Sequence, residues 1–160
     1  MKAWVQRVTE ASVEIAGERV AEIGQGYLVL LGVTHTDTEK AADEMAERIC
    51  TLRIFEDEAG KTNRSLVDVG GSVIVVSQFT LYADCRKGRR PGFDLAGDPA
   101  AANELYEYFA ERLKAEGVAR VATGRFGADM LVSLENDGPA TFLLSHPWEF
   151  STTTNPEAEE

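Results

Sequence analysis

Ser72-Val73-Ile74-Val75-Val76-Ser77-Gln78-Phe79-Thr80-Leu81-Tyr82, preceded by Gly70-Gly71, is the stretch on which the fold turns. Its Val and Ile content predicts a buried strand over 72–82. The other apolar run, Tyr27–Val33, is flanked by Gly24, Gly26 and Gly32 and reads the same way. Upstream, Lys2–Val8 alternates. Ala11–Ile15 and Arg19–Ile23 flank Ala16-Gly17-Glu18, the pattern of a hairpin with Gly at its turn. Arg53–Phe55, Val118–Ala122, Asp129–Glu135 and Thr141–Ser145 are further strand candidates.

Two segments carry the helical period instead. Thr36-Asp37-Thr38-Glu39 matches a capping box, Thr36 with Glu39. Ala42, Met45, Ile49 and Leu52 follow at helical spacing, which predicts a helix over about 38–51. Asp98 is a good N-cap, Pro99 suits a first helical position, and Gly117 ends the second helix. Leu105, Phe109 and Leu113 form its expected inner stripe. Each amphipathic helix can cover one sheet face. The expectation is an α/β protein: one compact domain of mixed or antiparallel sheets, barrel-like, over 1–146. Residues 147–160 read as a polar, flexible tail.

A chain of 160 residues favours a single domain, and 44% apolar with 27% charged residues is ordinary for a globule. The apolar run Tyr27–Val33 is too short to cross a membrane. Met1-Lys2-Ala3-Trp4 leads straight into alternating residues, with no signal-peptide core behind it. The expected location is the cytoplasm, with Cys50 and Cys85 as reduced thiols. The net charge of −11 argues against nucleic acid, because phosphate contacts need Lys and Arg. Yet Arg86, Lys87, Arg89 and Arg90 fall within five residues. They are either a solvated turn or a local patch that holds phosphate.

The missing chemistry narrows the mechanism. The two histidines, His35 and His146, sit in a turn and near the tail, and read as surface or structural residues. A Ser–His–Asp arrangement has poor candidates. HExxH, GxSxG, Walker and GxGxxG motifs and zinc-ligand clusters are absent from the sequence, so no metal and no cofactor is expected. An enzyme built from this chain uses hydroxyls, backbone amides or its own substrate.

Two stretches stand out. Ser77–Thr80 places Ser, Gln and Thr where an apolar strand was running. This is either a strand emerging into solvent or the floor of a pocket, where freed N–H groups point at an oxyanion. Asn136-Asp137-Gly138-Pro139-Ala140-Thr141 suits a tight turn between two strands.

Together these residues resemble the D-aminoacyl-tRNA deacylase family, along about residues 1–145. The anchors are Gln6-Arg7-Val8, Ala11-Ser12-Val13, Asp68-Val69-Gly70-Gly71, Ser77–Asp84, Gly88-Arg89-Arg90-Pro91, Thr123–Met130 and Asn136–Thr141. The elements SQFTL and NxGPxT are the family's signature motifs, and both stand intact. Thr62-Asn63 replaces the usual Met-Asn, and Gly92 follows Pro91 where Ser is common.

The resemblance implies a homodimeric hydrolase with no DNA or membrane partner. It would cut the ester joining D-amino acids, and glycine, to tRNA while rejecting L-aminoacyl-tRNA. Ser77, Gln78, Phe79 and Thr80 would hold the terminal adenosine and the ester. Gly138–Pro139 would be cis and enter the partner's active site as the chiral sensor. Arg7, Asn136, Thr141 and Met130 would support these parts, with Lys87, Arg89 and Arg90 on the tRNA backbone. Either Thr80 is a nucleophile, or the ribose 2′-OH assists and the N–H groups near Phe79 and Thr80 stabilise the oxyanion. A non-catalytic RNA-end binding module, a general Ser/Thr esterase and a structural dimer are the competing readings.

Overall fold

The computed structural model describes residues 1–148, and 149–160 of the expected tail lie outside them. The chain begins with β1 (Lys2–Ile15), one continuous strand where the sequence predicted two. Ala16 and Gly17 both take positive φ, which closes the expected hairpin to β2 (Glu18–Ile23). β3 (Gly26–Gly32) pairs antiparallel with residues 2–8 of β1, while β2 pairs with residues 11–15. The opposite edge of β1 pairs with β8 (Leu131–Ser145) along nearly its whole length. Register shifts around Val8 bend this long ribbon.

Two crossovers complete the sheet. From β3 the chain passes through α1 (Glu39–Thr51) to β6 (Ser72–Ser77), which lies parallel to β3. From β6 it passes through α2 (Pro99–Ala115) to β7 (Arg120–Thr123), parallel to β6. The order is β2-β1-β3-β6-β7, with β8 on β1. β2 also packs across to β6 and β7, so the sheet curls into a nearly closed barrel. The small hairpin of β4 (Phe55–Glu56) and β5 (Thr62–Arg64) stands apart.

The continuous apolar runs are explained by burial on both faces. Tyr27, Val29, Leu31, Val73 and Val75 pack under the helices with Met45, Ile49, Phe109 and Leu113. Leu28, Ile74 and Val76 point the other way and fill the barrel with Val8, Val13 and Ile23. Gly26 makes the parallel start possible: a Cβ there would lie 1.7 Å from the Ser72 carbonyl oxygen.

Several local expectations are corrected. The capping box does not form: Thr38 is the N-cap, and no side chain caps it. Asp37 instead accepts from Thr34 N at 2.8 Å and from the buried Met1 ammonium at 2.6 Å. Asp98 does cap α2, accepting from Ala100 and Ala101 N, with Pro99 next. The inner face of α2 is Ala102, Tyr106, Phe109, Ala110 and Leu113, and Leu105 is only half-buried. Tyr106 gains its place because its hydroxyl donates to Val75 O at 2.9 Å. The 72–82 strand ends at Ser77 and continues as a 3-10 turn, Phe79–Tyr82. The expected strand at 53–55 is realised as Phe55–Glu56, and that at 118–122 as Arg120–Thr123. Asn136–Thr141 is no turn between strands: β8 runs through it. Trp148 packs on the core and lies under the Arg48 guanidinium at 5.0 Å. Cys50 is buried and Cys85 exposed, both unbridged. Burial pushes the Cys50 thiol up to about 12. No helix among the described residues is long and apolar enough to cross a membrane.

Candidate active site

In open sheets, ligands collect at the carboxyl ends of parallel strands. Here β3, β6 and β7 are parallel neighbours, and the segments after all three converge. Val33 and His35 follow β3, Ser77–Phe79 end β6, and Phe126–Met130 follow β7. The start of α2 supplies Asp98, Pro99 and Ala102. Together they line a cleft of about 790 Å³, with Val76, Met130 and Val132 along its apolar side. Gly124 lies against the Met130 thioether, where an added Cβ would stand 2.6 Å from Sδ.

Ser77 is the last residue of β6 in register, opposite Leu31. Gln78 N still donates to Leu31 O at 2.8 Å, and then the chain turns. The first N–H groups of such a turn, here those of Phe79 and Thr80, have no acceptor within it. The Gln78 side-chain amide donates to Thr80 Oγ1. Ser77, Gln78, Phe79 and Met130 line the cleft, and Thr80 does not.

The second signature lies elsewhere in the chain. The Gly138–Pro139 peptide is cis, with Gly138 at φ +130°. Asn136 Nδ2 donates to Arg7 O and to Ala140 O, both at 2.9 Å, tying the two ends of the segment to β1. Thr141 Oγ1 donates to Asn136 Oδ1 at 3.3 Å. Arg7 Nε donates to Asp137 O at 3.1 Å, and Nη1 donates to Ile54 O. Arg7 and Asp137 border a separate polar depression of about 500 Å³ with Phe55 and Arg64. Within one chain, Gly138 and Pro139 do not line the Ser77–Phe79 cleft.

The basic segment forms a closed loop. Asp84 and Gly92 exchange backbone hydrogen bonds at 2.8 and 2.9 Å. Arg86 grips Asp84 with Nε and Nη2 at 2.8 and 2.7 Å, which holds that carboxyl down at about 2. Arg86 is therefore spent on the loop's own base. Among the described residues, Lys87, Arg89 and Arg90 form no ion pair and are exposed. The chain returns from the loop to the cleft through Phe93, whose ring meets Phe79 edge-on at 4.9 Å.

The sequence reading missed His35, Phe93, Asp98, Phe126 and Asp129 as cleft residues. His35 Nε2 bonds to Asp94 O at 2.8 Å. Its signal was position: it lies just beyond a buried strand, but this mattered only once β3 and β6 were known to be parallel. The Asp98 carboxylate is occupied by helix N–H groups. His146 is structural, 2.6 Å from Glu44. Among the described residues no three or more His, Cys, Asp or Glu side chains group as metal ligands.

A family model described as D-Tyr-tRNA(Tyr) deacylase matches residues 4–145. A D-aminoacyl-tRNA deacylase of Symbiobacterium thermophilum is 56% identical, covering 90% of this chain and 95% of its own. That of Thermus aquaticus is 58% identical over 90% of this chain and 94% of its own. A solved structure of a c-Myc DNA unwinding element binding protein superposes with TM-score 0.87 at 44% identity, covering 92% of this chain and 99% of that one. A probable eukaryotic D-amino acid tRNA deacylase shares the fold, with TM-score 0.79 at 17% identity over 89% and 97% of the two chains.

Proposed function

The chain belongs to the D-Tyr-tRNA(Tyr) deacylase family, and on that premise we propose that it hydrolyses the ester between D-amino acids and tRNA in the cytoplasm. The observation that carries the reading is the cleft itself. Three parallel strand ends and a helix start converge on an apolar cavity with Ser77, Gln78 and Phe79 at its mouth. Its volume suits a nucleoside with a small acyl group. The terminal adenosine enters the cleft, and the N–H groups of Phe79 and Thr80 face the ester carbonyl as its oxygen becomes negative.

Handedness is read at the α-carbon by main chain alone. In a homodimer, Gly138–Pro139 of one subunit enters the other's cleft, where an L side chain collides and a D side chain points away. Arg7 and Asn136 support this assignment, because their hydrogen bonds tie the segment to β1 of its own chain. A filter that rejects L side chains admits glycine.

Incubation with D-Tyr-tRNA and L-Tyr-tRNA tests the function. Fast release of D-Tyr alone is the expected outcome. Equal release would point to a general esterase, and no release to an RNA-end binder or a structural dimer.

Lys87, Arg89 and Arg90 hold the acceptor backbone. Changing all three to Ala should weaken binding equally for different tRNAs. It should also flatten the dependence of log K on log salt by about 2. An unchanged affinity and slope would return the loop to a solvated turn.

A further inference from the structure

Phe79 and Phe93 are 55% and 40% exposed, although their rings touch. Leu95 beside them is 55% exposed. Apolar surface left open in this way marks a binding site when it is continuous with one. It is continuous with two. Phe79 and Phe93 line the cleft, and Phe93 directly follows Gly92, which closes the basic loop. The ring pair therefore joins an apolar cavity to a loop whose Lys87, Arg89 and Arg90 form no ion pair among the described residues.

Resting on the deacylase reading, we propose that the Phe79–Phe93 pair is a stacking platform for the base of the nucleotide that precedes the terminal adenosine. The protein then grips the last two nucleotides of its RNA and not one. A flat occupant that trails an anion matches both the exposed ring face and the basic loop, which describes a nucleobase on its phosphate. With the terminal nucleoside in the cleft, the strand leaves over Phe93 toward Lys87, Arg89 and Arg90. The platform is set in advance: His35 Nε2 bonds Asp94 O at 2.8 Å, and Gly97 N donates to Val33 O at 2.8 Å. Stacking accepts any base, so the contact adds affinity without reading sequence.

The test uses the full chain and an acceptor minihelix whose penultimate nucleotide is intact or abasic. Affinity is measured on uncharged RNA, and kcat and KM on RNA charged with D-Tyr. Removing the base should weaken wild-type Kd roughly tenfold, with kcat altered less than about twofold. Phe93→Leu should lose the same factor on intact RNA and then be indifferent to the abasic position. Phe93→Tyr, which keeps a ring there, should keep the sensitivity to the abasic position that Phe93→Leu loses. Equal wild-type affinity for both RNAs, or penalties that multiply, would overturn the proposal. So would Phe93→Leu breaking the oligomer in sedimentation, which would assign the rings to a contact between copies. If wild type releases no D-Tyr while the Kd coupling persists, the deacylase reading falls and the platform stands. Active deacylation without coupling fells the platform alone.

Discussion

Replacing the 2′-hydroxyl of the terminal adenosine by hydrogen removes most of the deacylation, and Thr80→Ala does not. The expectation rests on where Thr80 stands. Its hydroxyl accepts the Gln78 amide and lies outside the lining of the cleft. An unassisted hydroxyl is a weak nucleophile, and the nearby His35 and Asp98 are engaged with backbone groups. The substrate's own 2′-OH, carried on the reacting ribose, is the group to which we assign assistance of the attack. The protein then contributes placement and two N–H donors, one of which is worth about 10²–10³-fold in kcat. Steady-state kinetics on D-Tyr-tRNA should show Thr80→Ala within about tenfold of wild type. The 2′-deoxy substrate should fall by about a hundredfold or more. The reverse pair of results would make Thr80 the nucleophile. The same requirement would confine hydrolysis to RNA ends.

Gly138→Ala abolishes useful activity while leaving most of the protein folded. Gly138 lies at φ +130°, where an L side chain is strained. An added Cβ would also stand 3.0 Å from Arg7 Nη2 and 3.2 Å from Ala140 N. Arg7 cannot withdraw without losing its bonds to Asp137 O and Ile54 O. The segment must move, and a shift near 1 Å in a positioning element costs about 10²-fold. The kcat/KM for D-Tyr-tRNA should drop by about that factor. Strain of about 1–3 kcal/mol should appear as a lower Tm. Activity within about threefold of wild type would remove Gly138 from the sensor.

Much of the architecture was legible because local signals agreed with tertiary need. The runs at Tyr27–Val33 and Val73–Val76 are apolar throughout because helices cover one face and the barrel closes on the other. Gly17 and Asp98-Pro99 did what their chemistry suggests, whereas Ala16 takes a positive φ that its Cβ disfavours. The errors arose where distant partners intervened. Thr36–Glu39 lost its capping box to Asp37, whose carboxylate binds the Met1 ammonium. Asn136–Thr141 has the composition of a turn, but Asn136 and Thr141 both pair with β1, and the four residues between them bulge within one long strand. Ser77–Thr80 left two readings open; in the sheet order the segment ends a strand beside two parallel neighbours, where Ser77, Gln78 and Phe79 line the cleft and Thr80 does not. His35 could not be found without that order. Nothing local calls for the proposed meeting of Gly138 with the cleft, whose lining within one chain lacks both Gly138 and Pro139.

That meeting across two subunits is the claim on which the rest depends, and a mixed dimer tests it. Gly138→Ala disables the loop. Phe79→Pro removes one N–H at the start of the 3-10 turn, a position proline tolerates, and disables the cleft. Each homodimer should be nearly inactive on D-Tyr-tRNA. Unfolded and refolded together in equal amounts, they should recover about a quarter of wild-type activity, because half of the dimers then hold one intact cleft facing one intact loop. A mixture no more active than its separate components would contradict the account.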